Sequence, residues 1–171
     1  KEQQLLTEQF PKLIEALRHQ DFGGRIPDVR IGVITTDVGA GSYGLQSCEV
    51  TGGDGGKLQT TARVAGCTPP SDPWISYDFT SDKTNIANCE GDGVECVKEA
   101  FSCIANVGIK GCGFEAPLES ARRALDPTLA VNKGFLRDEA LLAVVFITDE
   151  DDCSARNPQL FDPMQTGLND A

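Results

Sequence analysis

An acidic stretch late in the chain holds the residues whose types and spacing best suit chemistry. Asp149, Glu150, Asp151 and Asp152 are consecutive, and they follow Thr148 at the end of an apolar run. Carboxylates this close repel one another unless water screens them or a cation lies among them. Because carboxylate and hydroxyl oxygens are ligands that Mg²⁺ and Ca²⁺ prefer, the stretch predicts a divalent-metal site. The alternative is a solvated acidic turn without a metal.

The net charge of the chain indicates which kinds of binding partner are expected. The 171 residues include 26 acidic and 15 basic side chains, which gives a formal net charge of −11. Nucleic-acid-binding proteins rely on clustered lysine and arginine, so this charge disfavours a nucleic-acid partner. Cations or basic proteins are the expected partners.

The cysteine content indicates an oxidising compartment, which means an extracellular, cell-surface or periplasmic location, and we expect most of the cysteines to form disulfides. Zinc binding is less favoured, because the chain has one histidine, His19, and no C-x-x-C spacing. The odd number of cysteines leaves at least one thiol without a partner inside the chain. Sterically simple pairs are Cys48 with Cys67, Cys89 with Cys96, and Cys103 with Cys112, but the sequence leaves the connectivity open.

Apolar periodicity predicts a single α/β domain over residues 1–171. In chain order we expect a helix over 3–19, a buried strand over 28–38, an inserted loop or hairpin over 39–82, helices over 93–108 and 115–125, and a buried strand over 139–148. Short strands are possible within the insertion at 57–65 and 74–79. The side chains expected to face the core are Leu6, Phe10, Leu13, Ile14 and Leu17 in the first helix and Val97, Phe101 and Ile104 in the second.

The two ends of the sequence suggest a fragment of a longer, exported protein. The chain begins within a helical pattern and ends without a closing element. No apolar run reaches the length of about 18 residues that a membrane-spanning helix needs, and no leader with a charged start and an apolar centre opens the chain. We therefore expect no transmembrane segment in this fragment.

Two short motifs invite enzymatic interpretations. Residues 39–44, GAGSYG, match G-x-G-x-x-G, but the residues that follow lack the helical period that a dinucleotide site requires, so we interpret them as a loop without a cofactor. Asp149 and Asp151 form a D-x-D pair after an apolar run, similar to the nucleophile and acid of haloacid dehalogenase-like phosphohydrolases. A phosphohydrolase is therefore an alternative, although few residues follow in which to supply the other groups of that active site.

Four segments together resemble the successive core elements of a von Willebrand factor A domain: KEQQLLTEQFPKLIEALRHQ, RIGVITTDV, GIKGCGFEAPLESARRAL and LLAVVFITDEDD. The resemblance implies an open, mostly parallel, Rossmann-like sheet flanked by helices, with 39–82 as a glycine-rich insertion. In that family a metal-ion-dependent adhesion site takes Asp-x-Ser-x-Ser after the first strand, a threonine from a later loop and an aspartate at the end of the fourth strand. The first of these elements would precede Lys1.

The resemblance assigns Asp149 and Glu115 to the metal site, and the acidic run adds Asp151 as a further candidate ligand. Thr148 and Asp149 match the end of the fourth strand, with Glu150 where the family usually has glycine. The loop that would supply the threonine has none, and Glu115 stands there as either a metal ligand or an acid that matches the dipole of the following helix.

The resemblance further implies a binding module that is not an enzyme. Secreted or lipid-anchored bacterial members of the family are the most similar. The expected cofactor is Mg²⁺, with Mn²⁺ or Ca²⁺ as substitutes, and the expected partner is a protein or surface macromolecule that adheres through the metal. A third possibility is an extracellular module in which calcium has only a structural role.

Overall fold

A computed structural model describes residues 2–18, 23–48, 50–61 and 65–165 of the chain. In chain order the elements are helix α1 (Glu2–Ala16), strands β1 (Val29–Ile31), β2 (Ile75–Asp78) and β3 (Lys83–Thr84), helix α2 (Gly93–Ile104), helix α3 (Pro117–Ala124), and two 3-10 turns at Ala130–Asn132 and Pro158–Phe161. The chain divides into two compact units. The first unit comprises Lys1–Val33, Leu58–Gly108 and Val131–Leu141, and the second comprises Ile34–Lys57, Ile109–Ala130 and Leu142–Ala171.

The first unit contains the sheet, whose order is β1-β2-β3 with both pairings antiparallel. Val29 pairs with Tyr77, which in turn pairs with Thr84 across the sheet. Ile75 and Tyr77 are buried and alternate with Ser76 and Asp78, which are less buried, as expected for a strand with one face on a core. The sheet therefore has one apolar side, and α2 packs against β2.

Helix α2 forms where the sequence predicts it. The Asp92 carboxylate accepts a hydrogen bond from the backbone N–H of Val94 at 2.8 Å, which caps the first turn. The predicted inward residues Val97, Phe101 and Ile104 are all buried, so the predicted face of this helix is confirmed. The helix ends at Ile104, four residues before the predicted boundary at residue 108.

Helix α1 packs against α2 with a narrower face than predicted. Phe10 and Ile14 are buried, and the Phe10 ring stacks on Phe101. Leu13 and Leu17, predicted to face the core, are exposed, because the contact with a single neighbouring helix covers only a narrow stripe of α1. The predicted end of the helix at residue 19 lies outside the described residues.

The prediction of an open, mostly parallel sheet flanked by helices is wrong. The described residues form one small sheet of three antiparallel strands, accompanied by three α-helices. Parallel strands need crossover connections, whereas β2 and β3 are joined by a short turn. The architecture is thus not Rossmann-like.

The error in the predicted sheet comes from the two buried strands expected at 28–38 and 139–148, most of which are not strands. Only Val29–Ile31 of the first run joins the sheet. The second run enters no strand, and residues 141–147 are all exposed. Both runs have β-forming composition, but a strand also needs a neighbour for its backbone groups, and composition does not supply one.

The predicted insertion is also organised differently from a local hairpin. Its possible strand at 74–79 is present as β2, which pairs with β1 and β3. The other possible strand, 57–65, is not a strand over its described part, and residues 62–64 of it lie outside the described residues.

Three disulfides connect six of the seven cysteines. Cys67–Cys103 and Cys89–Cys96 lie in the first unit, Cys48–Cys112 lies in the second, and Cys153 is free. The expectation that most cysteines are oxidised is confirmed. Of the three sterically simple pairs, only Cys89–Cys96 is present, because Cys67 and Cys112 each pair with a residue distant in sequence. Within the described ranges, no helix has both the length and the apolar character to cross a membrane.

Candidate functional site

The second unit brings two of the predicted site segments together. The Thr148 hydroxyl donates a hydrogen bond to the Glu115 carboxylate, with 3.3 Å between Oγ1 and Oε2. The backbone N–H of Cys153 donates to the carbonyl of Glu115 at 2.7 Å. Residues 148–153, which we call the acidic segment, therefore lie against the residues that precede α3.

The acidic segment also caps α3. Helix α3 begins with Pro117, and Ala116 at its N-cap has no side chain that can accept a hydrogen bond. The Asp152 carboxylate accepts from the backbone N–H of Leu118, and the Ser154 hydroxyl accepts from that of Glu119, both at 3.0 Å. Two otherwise unsatisfied N–H groups of the first turn are thereby bonded by residues more than thirty positions later.

The sequence does not predict this capping role for Asp152 and Ser154. The signal that it offers is the Asp-x-Ser spacing, since the Ser154 hydroxyl also donates to Asp152 at 2.8 Å and its N–H donates to the same carboxylate. Such a pattern can cap a helix, but nothing in the sequence indicates which one.

Asp149 and Asp151 are exposed at the surface of the second unit. Across the residues that the structure describes, no group of three or more histidine, cysteine, aspartate or glutamate side chains is arranged to hold a metal ion. The structure thus brings Glu115 to Thr148 and leaves Asp149 and Asp151 outside any such group. Assignment of a metal to Asp149, Glu115 and Asp151 stays a prediction.

The two basic side chains of α3, Arg122 and Arg123, both pair with Glu119 of the same helix. Glu119 accepts hydrogen bonds from the guanidinium groups of Arg122 and Arg123, at 2.6 and 2.8 Å. These contacts, led by that of Arg122, lower the pKa of Glu119 to about 2. Arg122 also lies 3.7 Å from Asp126. Within the described part of the chain, the acids at 149–152 form no ion pair.

The glycine-rich loop at 39–44 has the geometry of tight turns. Ala40 bridges to Tyr43 and Leu45 bridges to Cys48, and Gly39 and Gly41 both have φ of 65°. A second turn therefore follows where a dinucleotide site would require a helix.

Asp37 connects this loop to a second glycine-rich loop of the same unit. The Asp37 carboxylate accepts from the N–H of Gly39 at 2.8 Å, and its backbone carbonyl accepts from the N–H of Gly55 at 3.1 Å. A Cβ atom on Gly53 would lie 2.1 Å from the carboxylate, so only glycine fits there. Asp37 thus has a structural role that the sequence does not indicate.

Comparisons with protein-family models, with characterised proteins and with solved structures found no match to this chain. The resemblance to von Willebrand factor A domains therefore has no support beyond the four sequence segments that suggested it, and its fold is not the one observed.

Proposed function

We propose that this protein is an exported binding module that engages a protein or another macromolecule through its acidic segment, with a divalent cation bound there. The observation that carries the proposal is the contact between Thr148 and Glu115, 3.3 Å apart. It places a hydroxyl and a carboxylate oxygen, from positions far apart in the chain, beside four consecutive acids.

The donor chemistry fits a hard cation. Glu115, Thr148 and Asp149 offer only oxygen ligands, which suit Mg²⁺, Mn²⁺ or Ca²⁺. The acids of this segment have no basic partner among the described residues, so a cation would relieve their mutual repulsion. In the proposal Asp149 joins Glu115 and Thr148 when the cation binds, Asp151 is a further ligand, and the cation supplies an attachment point for acidic groups of the partner.

Export is supported by the disulfides. Three disulfides in a chain of this length are typical of proteins that fold in an oxidising compartment. An extracellular, cell-surface or periplasmic location is part of the proposal, as is a role in binding and not in catalysis.

Titration calorimetry with Mg²⁺, Mn²⁺ and Ca²⁺ in turn tests the cation site. Asp149→Ala should abolish binding of the cation that the parent protein binds, and Glu115→Gln should weaken it at least about tenfold, since each removes a charged ligand. Glu99→Ala is the matched control, because it removes an exposed acid of α2 in the other unit and should leave the affinity unchanged.

Two results would contradict this assignment. Equal cation affinity in Asp149→Ala and the parent protein would refute Asp149 as a ligand. Loss confined to Asp151→Ala or Asp152→Asn would move the site into the exposed acidic turn, and would favour calcium in a purely structural role.

A further inference from the structure

Residues 142–147, LAVVFI, form an exposed apolar segment of the second unit. The side chains of Leu142, Val144, Val145, Phe146 and Ile147 each remain between 45% and 71% exposed. Isolated apolar residues at a surface are ordinary, but six in succession form a continuous patch of the kind that marks an interaction site.

The backbone N–H and C=O groups of residues 142–147 make no hydrogen bond to any residue that the structure describes. Valine, isoleucine and phenylalanine are the residues that favour strands. A second extended polypeptide is the ligand that can satisfy a row of alternating backbone donors and acceptors while covering apolar side chains. A lipid surface would bury the side chains but leave the backbone groups without partners.

The flanking charges argue against a second copy of this chain as the partner. Antiparallel pairing in full register would place the acids at 150 and 151 of each copy opposite the acids at 139 and 138 of the other, and only Asp152 would meet a basic residue, Arg137. Like charges directly opposite each other in a sheet are destabilising. Each copy also carries a net charge of −11.

The same charges favour a partner with basic ends. In sequence the apolar segment is preceded by Asp138 and Glu139 and followed by the acids at 149–152. An extended strand with apolar residues at its centre and lysine or arginine at both ends would complement both features.

We propose that residues 142–147 bind, by strand addition, an extended segment of another protein that is apolar at its centre and basic at both ends. This inference goes beyond the cation-dependent binding proposed above. Its contacts come from the backbone and side chains of 142–147, so it requires neither a cation nor Glu115 and Asp149.

Two synthetic peptides test the proposal, one alternating valine and threonine with two lysines at each end, the other identical but with glutamates at the ends. Binding is followed by fluorescence anisotropy in EDTA, so that failure of the cation site cannot affect the result. The peptide with lysine ends should bind at least about tenfold more tightly than the peptide with glutamate ends. This difference in affinity should diminish as salt is added. Amide hydrogen exchange at 142–147 should slow when it binds.

Three variants distinguish strand addition from a purely electrostatic attraction between the basic peptide and the acidic protein. Val145→Pro removes an N–H that has no partner in the described structure and should reduce peptide binding at least about tenfold. Val145→Thr keeps the N–H and the β-branch, and should bind as the parent does. Glu150→Lys should reduce the preference for the lysine peptide several-fold.

The proposal is overturned if the two peptides bind equally, if Val145→Pro binds as well as Val145→Thr, or if exchange at 142–147 does not change. Self-association of the parent that Val145→Pro abolishes would identify a second copy as the occupant. Binding to neutral phosphatidylcholine vesicles in place of the peptide would identify a lipid surface.

Discussion

At the scale of single residues, Glu119 shows how neighbours decide the charge of a side chain. Hydrogen bonds from Arg122 and Arg123 hold its pKa at about 2, below the ordinary glutamate value of 4.5. Because the pKa is lower in the folded state, ionised Glu119 contributes stability above about pH 4.5. That contribution is lost as the pH falls through about 2.

Glu119→Gln should therefore destabilise the protein in a pH-dependent way. At pH 7 we expect the free energy of unfolding to fall by about 0.5–1 kcal/mol, a modest value because the arginines are partly exposed. The difference should close between about pH 4.5 and 2. Urea unfolding at several pH values measures it, with Glu99→Gln as a control, and a gap that does not vary with pH would contradict the assigned pKa.

At the scale of elements, α3 depends on a cap from another part of the chain. Pro117 is suited to the first turn because its ring fixes a helical φ and its missing N–H needs no partner. The next two N–H groups do need partners, and Asp152 and Ser154 provide them. The helix and the acidic segment should consequently be stabilised together.

Asp152→Ala should lower the free energy of unfolding by about 1 kcal/mol, the usual cost of losing a side-chain cap. Asp152→Asn should retain most of the stability, because its amide oxygen can still accept from Leu118. Asp151→Ala, which removes a neighbouring exposed acid, serves as the control. The measurement is urea unfolding in EDTA, and equal loss in the Asp151 and Asp152 variants would indicate an effect of net charge in place of capping.

Helix α2 owes its stability to its buried face. Ile104 is 1% exposed and packs in the core of the first unit, whereas Ile109, five residues later, is fully exposed. Ile104→Ala should cost about 2–5 kcal/mol through lost burial and the cavity left behind, and Ile109→Ala should cost less than about 0.5 kcal/mol. Thermal unfolding of both variants tests this difference, which would vanish if α2 did not pack as described.

At the level of the complete chain, two of the three disulfides connect segments that are distant in sequence. Cys48–Cys112 closes 64 residues and Cys67–Cys103 closes 36. Restricting the unfolded chain in this way is worth about 3–5 kcal/mol per bridge in the loop-entropy model. Cys153, of intermediate exposure, remains as the single thiol.

Thiol titration of denatured, unreduced protein should find one free thiol per chain, and Cys153→Ser should remove it. Peptide mapping without reduction should recover Cys67 linked to Cys103 and Cys48 linked to Cys112. Recovery of Cys48 linked to Cys67 would contradict the pairing. Three or more free thiols would contradict the oxidised state itself.

Features that depend on neighbouring residues or on composition could be predicted from the sequence. The buried face of α2 follows from the spacing of Val97, Phe101 and Ile104, because helical hydrogen bonds join residues four positions apart. The acidic balance and the oxidation of most cysteines follow from composition. The sequence predicted a site of Asp149, Glu115 and Asp151. In the structure Glu115 contacts Thr148, the neighbour of Asp149, and the metal assignment stays a prediction.

Which groups distant in sequence come into contact depends on the fold and could not be predicted. The apolar runs at 28–38 and 139–148 look alike in sequence, yet Val29–Ile31 pairs with β2 and residues 142–147 pair with no described residue. The sequence likewise did not indicate which cysteine pairs with Cys67 or which helix Asp152 caps. Strand pairs, disulfides and remote caps all form between groups that the fold brings within a few ångströms, and sequence spacing does not encode that distance.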